Sequence, residues 1–301
     1  MTTANQSTPP VCNYEGSKYR TDFWEGRGRD YEDLTERIAL RRLLPPKGRR
    51  IVHLGAGFGR MSNELSGYDQ VVVLDYSRTM LQDAQAQLGR NGRFVYVAAD
   101  IYHLPLAEGS CDAAVMERVI HHMADVPAAL RQIRSVLAPQ APFVLEYANK
   151  RNLKAIVRYW LRRQKWSPFD KQPVEFVELN FDFHPTYMAE SLDKAGFKTE
   201  KRLALSYFRI GLLKRWVPTG LLVAADRLLQ PTGQIAAYSP SMFTLNYAVG
   251  NTPPDAVEGP LFKCLNCGAA LHQDGDGMVC ANGDGRWAIV DGIYDFKEPI
   301  Q

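Results

Sequence analysis

Five short apolar runs, at 50–54, 71–74, 93–98, 112–116 and 142–147, are separated by stretches whose apolar residues recur at helical spacing, and this alternation restricts the fold more than any other feature of the chain. The helical stretches start at 59 and span 77–88 and 126–137. Strands at that rhythm pair in parallel through crossover helices that cover the sheet, so the predicted class is α/β with a doubly wound, mostly parallel sheet. Another helix, over 31–44, precedes the first strand and stops at Pro45-Pro46-Lys47-Gly48. A chain of 301 residues, 46% of them hydrophobic, suffices for one large core and a small appendage.

Residues 1–12 are polar and predicted to be disordered. The segment 149–185 interrupts the strand and helix rhythm and is expected to hang over the carboxyl edge of the sheet, and 185–207 resumes the pattern. Residues 211–245 are apolar but broken by Pro218, Pro231 and Pro240, and 251–260 reads as a linker into a cysteine-containing tail, 261–301. With 36 Lys and Arg against 33 Asp and Glu, the net charge of +3 is too small to imply a nucleic-acid or membrane partner by itself. No secretory leader and no apolar run of the roughly 18 residues that a membrane span needs is visible. Five cysteines, three of them between 264 and 280, suggest a metal site in a reducing compartment, and the expected location is cytoplasmic.

The first strand runs into Gly55, Gly57 and Gly59, where a tight turn lets backbone approach a ligand. A dinucleotide fingerprint would need its third glycine at position 60, which is Arg60, so pyrophosphate binding is disfavoured. The second strand ends at Asp75, a carboxylate able to accept hydrogen bonds from two ribose hydroxyls. The third ends at Asp100-Ile101, an acceptor for an adenine amino group beside an apolar wall. Each aspartate alone reads equally as a cap or turn residue; the three features in order, each at a strand's carboxyl end, point to a bound adenosine.

VHLGAGFGR, VVLDYS, AADIYHLPL and CDAAVMERVIHHMADVPAALRQIRSVL resemble successive motifs of the class I, Rossmann-like S-adenosylmethionine-dependent methyltransferases, above all those acting on small molecules. The resemblance covers about 45–148. It implies a seven-stranded sheet, a methyltransferase domain over 13–250 with its cofactor half at 45–148, and a substrate insertion at 149–185. It also implies that Gly55, Ala56, Gly57 and the neighbouring Gly59 hold the methionine part, Asp75 the ribose, Tyr76 and Ile101 the adenine faces, and Asp100 the exocyclic amine. Glu117 and Arg118 would lie beside the transferred methyl group. The chain departs from the pattern at His53, where the family carries a carboxylate that helps hold the cofactor's ammonium end. A neutral histidine there accepts one hydrogen bond; a charged one repels.

Methyl transfer from a sulfonium is an in-line displacement, and a hydroxyl or amine acceptor must also lose a proton. His121 and His122, after the fourth strand, are candidate bases, the other account being that one packs and the other caps or meets solvent. His184 is a second candidate: with Asn180, Phe176, Phe181 and Phe183 it composes either an apolar acceptor pocket or a lid with its own small core. Tyr19, Phe23 and Trp24 close over the cofactor or belong to the core. Between 150 and 165 lie seven basic residues and no acid, on a helix whose other face carries Leu153, Ile156, Val157, Trp160 and Leu161. That helix suits peripheral contact with a membrane or an anionic substrate, or forms a lid whose apolar side covers the site.

In the tail, Cys264 and Cys267 followed by Gly268 have knuckle spacing, and Cys280 supplies a third thiolate. Gly283 stands where a fourth cysteine would fall, leaving Asp284 or His272 to complete a tetrahedron. The stretch 261–296 resembles small zinc ribbons fused to or partnered with methyltransferases, which implies structural zinc. The expected function is methyl transfer from S-adenosylmethionine to an O, N or C atom of a small-molecule acceptor. The alternatives are an RNA or protein methyltransferase docking through the ribbon and basic helix, or a cofactor-binding protein without catalysis.

Overall fold

The computed structural model describes residues 9–17, 20–250 and 259–300. Helix α1 (Asp30–Leu43) leads into five strands: β1 (Gly48–Leu54), β2 (Tyr68–Asp75), β3 (Phe94–Ala98), β4 (Ala113–Met116) and β5 (Pro142–Ala148). Between them lie α2 (Arg78–Leu88) and α3 (Val126–Val136). Both helices begin where their sequence provides a cap: Ser77 accepts the Met80 N–H, and Asp125 accepts the Ala128 N–H with Pro127 in the first turn. The helix predicted from residue 59 shrinks to a 3-10 turn, Ser62–Leu65, because the glycines at 55, 57 and 59 take positive φ and leave too few residues before β2.

After β5 the chain forms α4 (Leu153–Trp160), the hairpin β6 (Val174–Val177) and β7 (Asn180–Asp182), then α5 (Pro185–Lys194) and β8 (Phe197–Leu205). The proline-broken stretch contains α6 (Gly211–Trp216) and α7 (Thr219–Leu229) and ends in β9 (Ser241–Ala248). Helix α7 packs on α1; there the buried Tyr31 hydroxyl donates to Asp226 at 2.6 Å and Lys214 of α6 pairs with Glu32 at 2.9 Å. The main sheet runs β3-β2-β1-β4-β5-β9-β8, parallel except for β9. Its order reverses at β1, which lies between β2 and β4, and the carboxyl ends of those strands open a crevice.

The sheet does not stop at seven strands. Tail strands β10 (Leu271–Asp274), β11 (Gly277–Cys280), β12 (Arg286–Val290) and β13 (Ile293–Ile300) form an antiparallel meander, and β13 pairs in parallel with β3, Ile293 opposite Tyr96 and Asp295 opposite Ala98. Eleven strands result. Without the tail, β3 would present a row of unpaired backbone groups, and β13 closes that edge. Phe262, Trp287 and Phe296 of the tail share one buried core with Leu104 and Leu106 after β3, so the tail beyond residue 260 is built onto the sheet and is not a free-standing ribbon.

Candidate active site

The carboxyl ends of β1 to β4 border a cleft of about 840 Å³ counting its open mouth. Gly55, Ala56, Gly57, Asp75, Tyr76, Ile101 and Glu117 all line it, so seven of the residues singled out from the sequence meet in one place. At Gly55, φ is +66°, and a Cβ would sit 2.3 Å from Val119 Cγ2; no side chain fits. The Gly57 N–H donates to Asp75 Oδ2 at 2.8 Å and the Ser77 N–H to Oδ1 at 2.9 Å, which fixes the carboxylate and leaves each oxygen a further lone pair. Burial raises the Asp75 pKa above the usual carboxylate range against the pull of these two N–H groups.

Gly59 and Asp100 lie outside the cleft lining. Gly59 lets α2 approach, since a Cβ there would meet Leu88 at 2.8 Å. Asp100 caps the following turn, accepting the Tyr102 N–H at 2.9 Å, with His103 at 3.2 Å from its other oxygen.

His53 is fully buried behind the cleft. Its Nε2 lies 2.7 Å from Glu117 Oε2 and its Nδ1 2.8 Å from Ser62 Oγ. An ionised carboxylate only accepts, so Nε2 carries a proton toward Glu117. A carboxylate from the end of β4 therefore lies against the position that His53 occupies on β1, and His53 holds it in place. Arg60 stands 4.0 Å from Glu117 and pairs with Asp33 and Glu36 of α1 at 2.5 and 2.7 Å. Arg118 pairs with Glu36, while its backbone, in the left-handed region at φ +57°, donates to Glu146 at 2.9 Å. Burial works against the charge of Glu36, but Arg118 and Arg60 outweigh it and hold its pKa below the usual range. Trp24 lines the cleft with Arg60 at 4.0 Å and Arg118 at 4.9 Å from its ring. Phe23 sits under Arg29 instead, and Tyr19 lies outside the described residues.

The two adjacent histidines separate. His122 lines the cleft; its Nδ1 is 2.8 Å from the Leu179 carbonyl and its Nε2 3.3 Å from Tyr14 Oη. A carbonyl cannot donate, so Nδ1 carries the proton in the neutral ring and the Nε2 lone pair faces Tyr14 and the cleft. Burial lowers its pKa and keeps it neutral at pH 7. His121 lies behind it, its ring tilted by 48° at 4.1 Å between centroids, off the cleft, with a pKa driven well down by burial and then by His122. His184 caps α5 by accepting the Thr186 N–H at 3.1 Å and does not reach the cleft. Of the aromatic residues near it, Phe183 is buried between Phe181 and Tyr187, with centroids at 6.3 and 5.8 Å, while Phe176 points outward. These rings pack against each other, which is the lid-core account.

Val11, Cys12 and Tyr14 also line the cleft. The polar composition of the first twelve residues conceals this, for Val11 and Cys12 run along the site and 1–8 lie outside the described residues. Glu15 offered a signal, being an acid placed to cap α2: it accepts the N–H groups of Arg78 and Thr79 at 2.9 and 3.1 Å.

In the tail, the sulfur atoms of Cys264, Cys267 and Cys280 lie within 4.8 Å of one another, Cys267 and Cys280 at 3.4 Å. Zinc–thiolate bonds of about 2.3 Å in a tetrahedron place sulfurs about 3.8 Å apart, so the three thiols fit that metal. Gly268 and Gly283, at φ +76° and +77°, make matching turns after the two knuckles. Asp284 adjoins Cys267, whereas His272 is exposed on β10 and outside the cluster.

The family profile described as "Methyltransferase domain" matches residues 52–145, the stretch that contributes β1 to β5 and most of the cleft. Residues 52–145 are thus similar to a methyltransferase domain, in a chain that shares the fold of S-adenosylmethionine-dependent methyltransferases. Among curated proteins, an O-methyltransferase, cnsE, from Penicillium expansum is 30% identical over 152 residues, 47% of this chain and 55% of the relative. A demethylmenaquinone methyltransferase from Corynebacterium kroppenstedtii is 37% identical over 109 residues, 36% of this chain and 45% of the relative. The chain thus spans about half the length of the curated relatives it matches. In fold, the methyltransferase domain is similar to an S-adenosylmethionine-dependent methyltransferase from Mesorhizobium loti (TM-score 0.50, 21% identity, 72% of this chain and 99% of the other). It is also similar to a chain from the complex of the Haloferax volcanii Trm112 methyltransferase activator with a methyltransferase (TM-score 0.52, 19% identity, 75% and 95%). Among the described residues no helix is long and apolar enough to cross a membrane.

Proposed function

We propose that this chain transfers the methyl group of S-adenosylmethionine to an oxygen, nitrogen or carbon atom of a small-molecule acceptor. One observation carries the reading: the cleft that presents Asp75, Tyr76 and Ile101 at one end opens, past Glu117, onto the neutral His122 and its Tyr14 partner. The names of the relatives, an O-methyltransferase and demethylmenaquinone methyltransferases, support an acceptor of small size. The bound cofactor supplies an electrophilic methyl group on a sulfonium. Asp75 would accept the ribose hydroxyls, Ile101 and Tyr76 would hold the adenine, and Glu117, with His53 against it, would hold the ammonium. The acceptor's proton passes to the Tyr14 hydroxyl as that hydroxyl gives its own to His122 Nε2. Trp24 and the Arg60–Arg118 pair wall the reacting end from water.

The test is incubation with radiolabelled cofactor and, in separate arms, a panel of phenols and quinols and total cellular RNA. Label in the small molecules supports the proposal; label in RNA alone overturns it. The His122→Asn variant is expected to bind S-adenosylhomocysteine as the wild type does and to lose about 10²-fold or more in turnover of a hydroxyl acceptor, the usual scale for a general base. An unchanged rate removes His122 from the mechanism.

A further inference from the structure

Helix α4 turns its apolar surface the wrong way for a lid. Only Ala155 and Ile156 are buried, while Leu153, Val157 and Trp160, spaced to share one face, point into solvent, Trp160 with 71% of its surface exposed. Lys154 and Arg158 run beside that stripe, Arg162, Arg163 and Lys165 follow it, and no acid occurs between 150 and 165. Helix α6 repeats the composition: Leu212 and Trp216 are 69% and 73% exposed, Arg215 lies between them, and 207–225 contains no acid. Burial raises the Asp182 pKa, and Arg209, just before α6, and Arg158 of α4 act against it.

We propose that α4, and α6 with its like composition, are docking helices for an anionic lipid bilayer. Tryptophan and leucine interleaved with lysine and arginine match the two components of such a surface: the rings and aliphatic chains enter the headgroup boundary while the cations meet lipid phosphates. A nucleic acid would satisfy the cations but leave Leu153, Val157 and Leu212 in water. A second copy of the chain would set two uniformly basic rims against each other. The proposal stands apart from the identity of the methyl acceptor, since it concerns adhesion and no chemistry.

The experiment is co-sedimentation of the full chain with large vesicles of phosphatidylcholine alone or of an equimolar mixture with phosphatidylglycerol. Binding to the mixed vesicles, absent on the neutral ones and reduced as salt is raised, is the expected result. The double variant Trp160→Ser/Trp216→Ser should lower the partition coefficient roughly tenfold or more while binding S-adenosylhomocysteine unchanged. If that variant does not fold, Lys154→Glu/Arg158→Glu tests the same face through its exposed charges. No partition onto anionic vesicles, or equal partition of wild type and a folded variant, overturns the proposal. So does a concentration-dependent dimer that the variant abolishes, or an RNA oligomer that outcompetes the vesicles.

Discussion

Asp75 is committed before any ligand arrives: Gly57 and Ser77 hold its two oxygens, and the lone pairs left over point into the cleft. Replacing it by alanine is expected to weaken S-adenosylhomocysteine by about 1.5–3 kcal/mol, the scale of hydrogen bonds to a charged group, and titration calorimetry reads this directly. His121 makes a different prediction. Its folded pKa lies well below 6.5, so between those values the unfolded chain binds a proton that the native state refuses, and stability falls as pH drops below about 6.5. Asp75 and Glu146, whose pKa values burial raises, act with the opposite sign in acid, so the comparison must be with a variant. His121→Gln should flatten the decline by up to about 1.4 kcal/mol per pH unit in denaturant unfolding between pH 6.5 and 5.5. Identical slopes would place the missing protonation elsewhere. Residues that end strands were legible in the sequence because the strand rhythm fixes where they point. Tyr14 was not: its partner His122 is 108 residues away, and no local pattern encodes such a meeting. Asp100 is the ambiguous case, for a strand-end aspartate that caps its own backbone, as this one does, has the same sequence signature as one that serves a ligand.

At the scale of elements, the parallel pairing of β1 to β5 followed from alternation alone, and α1 stopped where its prolines required. The tail's metal-knuckle spacing could be read too. Its attachment could not, because β13 joins β3 through backbone groups that every sequence possesses, and side-chain period is silent about which edge a strand will seek. That attachment has a measurable consequence. Phe296 is buried in the core that the tail shares with the main sheet, against Phe262 and Trp287 at 5.0 and 5.9 Å. Phe296→Ala should cost about 3–5 kcal/mol and shift one cooperative thermal transition of the whole chain. Two transitions, with only the smaller one displaced, would show that the tail folds by itself. The stretch 211–245 defied reading for the opposite reason: its prolines mark the ends of α6 and α7, but the exposed leucines that ought to locate a buried face are outward.

Across the whole molecule, the first and last segments of the described chain meet beside Tyr76 at the cleft. Glu15 binds the amino end of α2 and stands 3.5 Å from Lys297 of β13, and Lys297 in turn lies 5.4 Å from the ring of Tyr76. One residue earlier, Tyr14 reaches across to His122. Residues 11–15 are thus latched on both sides of the opening. Glu15→Gln keeps the size of the side chain but removes its charge, and it should speed dissociation of S-adenosylhomocysteine roughly three- to tenfold in stopped-flow displacement, modest because the latch is exposed. An unaltered off-rate would mean that the product leaves by another door. If the latch does govern departure, the enzyme's tempo is set by how often a short strap lets go of spent cofactor, and steady-state turnover would then be the same for quick and sluggish acceptors alike, with product inhibition as its outward sign.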